Sequence, residues 1–343
     1  MTGRVDWSAL GARARGLGTR LFHRAELEEL AGLGEIPALA RALARSGRTS
    51  APIAEGLDVE QIETIIRRTA ARALHTLAMW SEAHPAVLEV FFADQDRRIL
   101  RAMLRGAVEG APAQARQRGL LATPRIPERA LVELAHAATP KDVTAELVLL
   151  SHPDATRLIP LTARAQTDLF EVEAELARAY AERVTLAARS GDSNLRRFVR
   201  ERIDLINAEN ALLLAGSPRD LEAASSFVQG GRWLSLTAFA RVAGAGSRPV
   251  AARLLAEALA RSPFEALVSA AHESPVALER QALLGALAGQ RRASRLDPLG
   301  SAPALVFLLR LEAQTLDLLH IAWGAALSAP ASWVKEGLVT PWS

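Results

Sequence analysis

Apolar side chains recur along this chain at intervals of three and four residues, the spacing that lines one face of an α-helix. Ile62, Ile65, Ile66, Ala70, Ala73 and Leu77 share such a face. They follow Asp58, a good N-cap, and Gln61 stands where a capping-box partner belongs. His84-Pro85 interrupts the run, and a second helix is predicted from Ala86 to Arg105 with Gly106 as its stop. The plan returns twice. A helix from about Leu161 to Ser190 breaks at Gly191-Asp192-Ser193 and resumes from Asn194 to Ala215 before Gly216. A third pair runs from Pro275 to Gln290 and from Ala302 to Trp323 before Gly324, divided at Asp297-Pro298-Leu299-Gly300. Val/Ile runs of strand length are scarce, so the expected fold class is all-α.

The three hairpins keep a register. Each first helix holds a glutamate (Glu63, Glu173, Glu279) and each second helix an acid (Asp94, Asp204, Glu312). Twelve residues separate each of those acids from the glycine that follows: Gly106, Gly216 or Gly324. The steps from glutamate to acid are 31, 31 and 33 residues, and the acids repeat after 110 and then 108. Leu43-Ala44-Arg45-Ser46 is echoed by Leu259-Ala260-Arg261-Ser262. The predicted organisation is three diverged copies, at 1–110, 111–220 and 221–343, each with apolar faces it buries against its neighbours.

Composition narrows the class. Half of the 343 residues are apolar, enough for a large core. Ala, Leu and Arg dominate, a palette that favours helix, and Tyr180 is the sole tyrosine. The absence of cysteine excludes disulfides, thiolate metal sites and cysteine nucleophiles, and fits a reducing compartment. The N-terminus lacks the apolar core of a signal peptide. The uncharged stretch from Leu318 to Val334 holds His320, Pro330 and two serines, and falls short of the ~20 apolar residues of a membrane span. A soluble chain is expected. The net charge of +3 comes mainly from arginine, with Lys141 and Lys335 the only lysines. Arg and Glu alternate as on solvated helix faces, whereas a nucleic-acid footprint would cluster its basic residues.

The repeated carboxylates read best as acceptors that fix helix register, with Asn207 one turn after Asp204 in the same network. The repeated glycines read as helix C-caps. Gly230-Gly231 and Gly244-Ala245-Gly246 follow no strand and lack a phosphate-binding lysine; Lys141 sits in Thr139-Pro140-Lys141-Asp142, a helix start. Glu133-Leu134-Ala135-His136 fits the Glu-x-x-His pattern of two-metal helical bundles, and Asp317-Leu318-Leu319-His320 comes near it. Their repeat phases differ, so they should not face each other. Phe91-Phe92-Ala93-Asp94-Gln95-Asp96 lacks the paired aspartate box of helical prenyl-transfer enzymes, and no hydrolase or zincin motif is present. No catalytic residue, metal or cofactor is expected. The tryptophans are expected in the core or at caps, except Trp233. It follows Gly230-Gly231-Arg232, and an exposed Arg/Trp pair is typical of partner contacts.

The ordered motifs resemble one family. Ala12-Arg13-Ala14-Arg15-Gly16-Leu17-Gly18-Thr19-Arg20-Leu21-Phe22 with Glu26-Leu27-Glu28-Glu29-Leu30 looks like its opening helix. Ile203-Asp204-Leu205-Ile206-Asn207 looks like its recurring Asp-x-x-Asn helix, and Phe227-Val228-Gln229-Gly230-Gly231 like its Gly-Gly turn. Ser262-Pro263-Phe264-Glu265-Ala266-Leu267 resembles its Thr-Pro-Tyr element. Arg97 and Thr315 stand where asparagine would be in the other copies. The family is the C-type stalk component of prokaryotic V/A-type rotary ATPases, equivalent to the d component of the eukaryotic V-ATPase. The resemblance implies a funnel of three helical units and a non-catalytic connector between membrane rotor ring and central shaft. Its partners would be ring proteolipids and shaft subunits, with no nucleic acid. It would stand as one copy per complex on the cytoplasmic, peripheral side of the membrane. The alternative is a generic helical-repeat scaffold that binds a protein or nucleic acid.

Overall fold

The computed structural model describes residues 7–50, 56–81, 85–216, 223–260, 262–264 and 275–341. His84, residues 265–267, Arg261 and Trp342 lie outside them. Among the described residues all regular structure is helical, in sixteen α-helices and one short 3₁₀ turn. They pack as two compact units: Met1–Pro85 with Gly119–Pro124 and Leu287–Ser343, and Ala86–Arg118 with Arg125–Ala286. These units are defined by packing, and their bounds differ from the expected ones at 110 and 220.

The first unit holds α1 (Ser8–Gly18), α2 (Arg24–Ala31), α3 (Ile36–Ser46) and α4 (Val59–Met79). It also holds the end of α14 (Pro275–Leu296), α15 (Ala302–Ala326) and α16 (Ala331–Glu336). Its core joins Phe22, Leu27, Leu39, Leu43, Ile62 and Ile66 to Leu318, Ile321 and Ala322. The start of α4 has its capping box: Gln61 N donates to Asp58 (2.8 Å) and Asp58 N to Gln61 Oε1 (3.0 Å). Glu63 is buried on the same helix and accepts from the Trp323 indole (2.8 Å) and Gly119 N (2.9 Å). The chain's last described residues are clasped. Asp317 accepts from Val339 N and Thr340 N (2.5 and 2.8 Å), while the Arg24 guanidinium donates to the carbonyls of Lys335, Leu338 and Thr340.

The second unit carries α5 (Pro85–Glu109), α6 (Ala113–Gln117), α7 (Glu128–His136), α8 (Pro140–Leu149) and α9 (Ala155–Thr162). It continues with α10 (Leu169–Ala188), α11 (Ser193–Leu214), α12 (Leu236–Ala243), α13 (Arg248–Leu259) and the start of α14. Its core includes Leu205, Ala208, Leu212, Phe239, Val242, Leu255, Leu259 and Leu278. Thr139 caps α8 as its sequence suggests, accepting from Asp142 N at 3.2 Å.

Three local expectations need correction. The helix expected from Leu161 starts only at Leu169, because α9 ends at Thr162 and Asp168 caps a new helix by accepting from Phe170 N (2.9 Å). Gly216 does sit just past a helix end with φ +74°, as a C-cap. Gly106 and Gly324, however, lie inside α5 and α15, which run on to Glu109 and Ala326. What those two positions require is space: a Cβ would stand 2.6 Å from Arg116 Cγ on Gly106, and 2.7 Å from Val334 Cγ2 on Gly324. Both carbonyls accept from the amide five residues on, Ala111 and Ala329, at 2.9 Å.

Candidate functional site

The side chains of Asp204 and Asn207 lie three residues apart and so share a face of α11. Both are buried, and both are spent on the backbone of the segment that leads into α12. Asn207 pairs with Val228 in both directions, its Nδ2 donating to the carbonyl and its Oδ1 accepting from the amide, each at 2.8 Å. Asp204 accepts from three successive amides: Arg232 N (2.8 Å) and Trp233 N (3.0 Å) at Oδ2, and Leu234 N (3.1 Å) at Oδ1. Ser235 then caps α12 by accepting from Ala238 N.

The glycines make this geometry possible. Gly230 has φ +111°, a left-handed conformation that favours glycine. Gly231 lies so close to the Asp204 carboxylate that a Cβ would overlap Oδ1. Burial pushes the Asp204 carboxyl up, opposed by the amides of Arg232, Leu234 and Trp233. Bonds from such donors to an ionised acceptor are worth about 1.5–3 kcal/mol each. The turn is therefore braced, and what it presents outward is Arg232. The guanidinium lies 4.9 Å above the Trp233 ring and faces Glu201, whose carboxyl burial pushes up. The expected exposed pair is half right: Arg232 is exposed, but the Trp233 indole is half-buried against the core.

The acids at the corresponding sequence positions do other work. Asp94 meets three arginines: Arg97 (3.0 Å), Arg98 (3.1 Å) and Arg202 (2.8 Å). Burial would raise its pKa, but Arg202, Arg98 and Arg97 together hold it well below the usual carboxylate range. Arg97, in the asparagine position, thus closes a pair within its own helix, and Thr315 likewise bonds back to the Leu311 carbonyl at 2.7 Å. Glu173 pairs with Arg101 and Arg105, Glu312 is buried, and Glu279 is exposed. In the first unit it is Asp317, five residues after Glu312, that braces backbone amides as Asp204 does.

Neither metal-like motif forms a site. Glu133 pairs with Arg129 on the surface, and Asp317 is engaged by Val339 and Thr340. Among the described residues no three His, Asp or Glu side chains gather as metal ligands. One centre shares only Asp96 with the sequence motifs. Glu89, Asp96, His152, Asp154 and Arg183 converge inside the second unit, with His152 Nε2 3.5 Å from Asp96 and Arg183 3.2 Å from Asp154. Arg125 closes it from outside at 2.6 Å from Glu89. Glu89 and Asp96 come from α5, His152 and Asp154 from the loop before α9, and Arg183 from α10, so the cluster joins distant parts of the sequence.

Helical hairpins whose buried carboxylates hold turns and helix partners in place define an all-helical fold. The family model for the ATP synthase (C/AC39) subunit matches residues 10–336. The chain belongs to that family, the same V/A-type ATPase family that its motifs resemble, and so is one component of a multi-subunit ATPase complex. No curated protein matches it. No described helix is long and apolar enough to cross a membrane.

Proposed function

We propose that this chain is the non-catalytic central connector of a rotary V/A-type ATPase, joining the membrane rotor ring to the central shaft and carrying torque between ion translocation and ATP turnover. The observation that carries this reading is the family match across residues 10–336. On this reading the protein sits on the cytoplasmic side, peripheral to the membrane through the ring proteolipids, one copy per complex. Its sequence is three copies of one helical unit, at 1–110, 111–220 and 221–343.

The repeat is supported by a further echo. Gly106 and Gly324 are followed by Ala111-Pro112-Ala113 and Ala329-Pro330-Ala331, and both prolines stand at the N-cap of a short helix. The residue packed on each glycine, Arg116 or Val334, comes ten positions later in both. The braced turn Gly230-Gly231-Arg232-Trp233 is proposed as one partner contact, with Arg232 as the offered group.

The test is gentle-detergent purification of the tagged chain from its native membrane, with mass spectrometry of what accompanies it. Ring proteolipids and shaft subunits are expected together. A preparation that keeps the other ATPase subunits but lacks this chain's ring and shaft partners overturns the connector role.

A further inference from the structure

Several arginines of the chain meet carboxylates: Arg24 meets Glu28, Arg48 meets Glu26, Arg183 meets Asp154 and Arg202 meets Asp94. One row in the first unit does not. Arg15 on α1, Arg291 and Arg295 on α14, and Arg310 on α15 have no carboxylate in ion-pair reach among the described residues. The row is held in place. The Arg15 guanidinium donates to the Pro298 carbonyl at 3.3 and 3.4 Å, which ties α1 to the connection between α14 and α15. Arg310 Nη1 lies 3.6 Å from the Cβ position of Gly18, at the far end of α1. Arg291 and Arg295 are one turn apart on α14.

The row carries uncompensated repulsion. Burial lowers the Arg310 and Arg291 guanidinium pKa values, and a neighbouring arginine (Arg291 and Arg295, respectively) lowers each further. At the tip of the same hairpin two leucines stand in solvent, Leu296 at 82% and Leu299 at 59% exposed, with Asp297 between them. Arg310 follows the start of α15 by eight residues, so the row runs ~12 Å along the flank away from that tip. Charges arranged along a flank suit an elongated partner better than a flat headgroup layer, which would meet the tip alone.

We propose that this face docks an acidic segment of a partner protein, its carboxylates laid along Arg295, Arg291 and Arg310 and an apolar side chain seated on Leu296 and Leu299. Nothing in this docking depends on the rotary reading. An anionic segment would relieve the repulsion and gain apolar contact at one end, the combination that gives both orientation and salt sensitivity.

The probe is a fluorescent helical peptide of roughly 14 residues, ~20 Å long, with glutamates at every third and fourth position and two leucines at one end. Anisotropy is read at low and raised salt with the full chain, with R291Q/R295Q, and with R164Q/R197Q, which removes two exposed arginines elsewhere. The expected result is binding that weakens about tenfold in R291Q/R295Q, with a flatter salt dependence, and stays at the wild-type level in R164Q/R197Q. Equal losses in both variants, or no binding, overturn the proposal. So does binding of phosphatidylserine vesicles that depends on Arg291 and Arg295 while peptide binding does not. Melting temperatures identify a variant that fails to fold, in which case exposed Arg295→Gln alone carries the comparison.

Discussion

The carboxylate of Asp204 occupies the space into which a side chain on Gly231 would project. Helix α11 and the turn before α12 can approach this closely only because residue 231 has no Cβ. Gly231→Ala is expected to push the turn off its acceptor and to destabilise the protein by about 2–3 kcal/mol, combining overpacking with loss of amide bonds to a buried carboxylate. Urea unfolding followed by circular dichroism measures this. An unchanged midpoint would mean that the turn is not held as described.

Asp94 and Asp204 should respond to pH in opposite directions. Asp94 is buried, yet Arg202, Arg98 and Arg97 hold its pKa well below the ordinary 3.8. Its stabilising contribution is therefore present above 3.8 and is lost as the pH falls toward the depressed folded value. Asp204 is raised above 3.8 by burial, so its contribution is full below 3.8 and declines as the pH rises through the raised value. The stability difference between wild type and D94N should grow with pH across the acid range, by about 2–4 kcal/mol in all. The difference between wild type and D204N should shrink over the same range. Parallel trends in the two series would contradict the assigned surroundings.

The helices are legible in the sequence because Ala, Leu and Arg at helical spacing leave few alternatives, and caps such as Asp58 and Thr139 mark their starts locally. The pairing of Asp204 with Asn207 is legible as a network but its target is not, since the amides of Arg232 to Leu234 lie 28–30 residues away. Gly106 and Gly324 look like stops in one dimension. Only the packed Arg116 and Val334 show why those places lack a Cβ. The centre at Asp96 and His152 has no local signature, and the bracing role of Asp317 stays hidden because a backbone acceptor has no spacing of its own.

Tyr180 reports on Asp94. It is the sole tyrosine, fully buried, with the Arg97 guanidinium 5.6 Å over its ring. Burial pushes its hydroxyl up to about 12, and the Asp94 charge adds to the rise. Ultraviolet titration of the folded protein should therefore show tyrosinate forming about 2 units above the usual value of ~10. In D94N the midpoint should move back down. A wild-type midpoint near 10 would place the ring in solvent.

The two glycines inside helices separate packing from propensity. In an open helix Gly→Ala gains about 1 kcal/mol, so any loss measures the neighbour. At Gly106 that neighbour is the Arg116 stem, unbranched and able to shift, though its guanidinium donates to the Ala111 and Ala137 carbonyls at 2.7 and 2.6 Å. At Gly324 it is Val334, buried and β-branched, with one strongly preferred rotamer in a helix. Gly324→Ala should therefore destabilise by about 2–3 kcal/mol and Gly106→Ala by about 1 kcal/mol. Val334→Ala removes the methyl group that the new Cβ would strike. The double variant should be more stable than the sum of the single losses implies, by about 1 kcal/mol or more in a double-mutant cycle. Strict additivity would show that α15 and α16 do not meet at this contact.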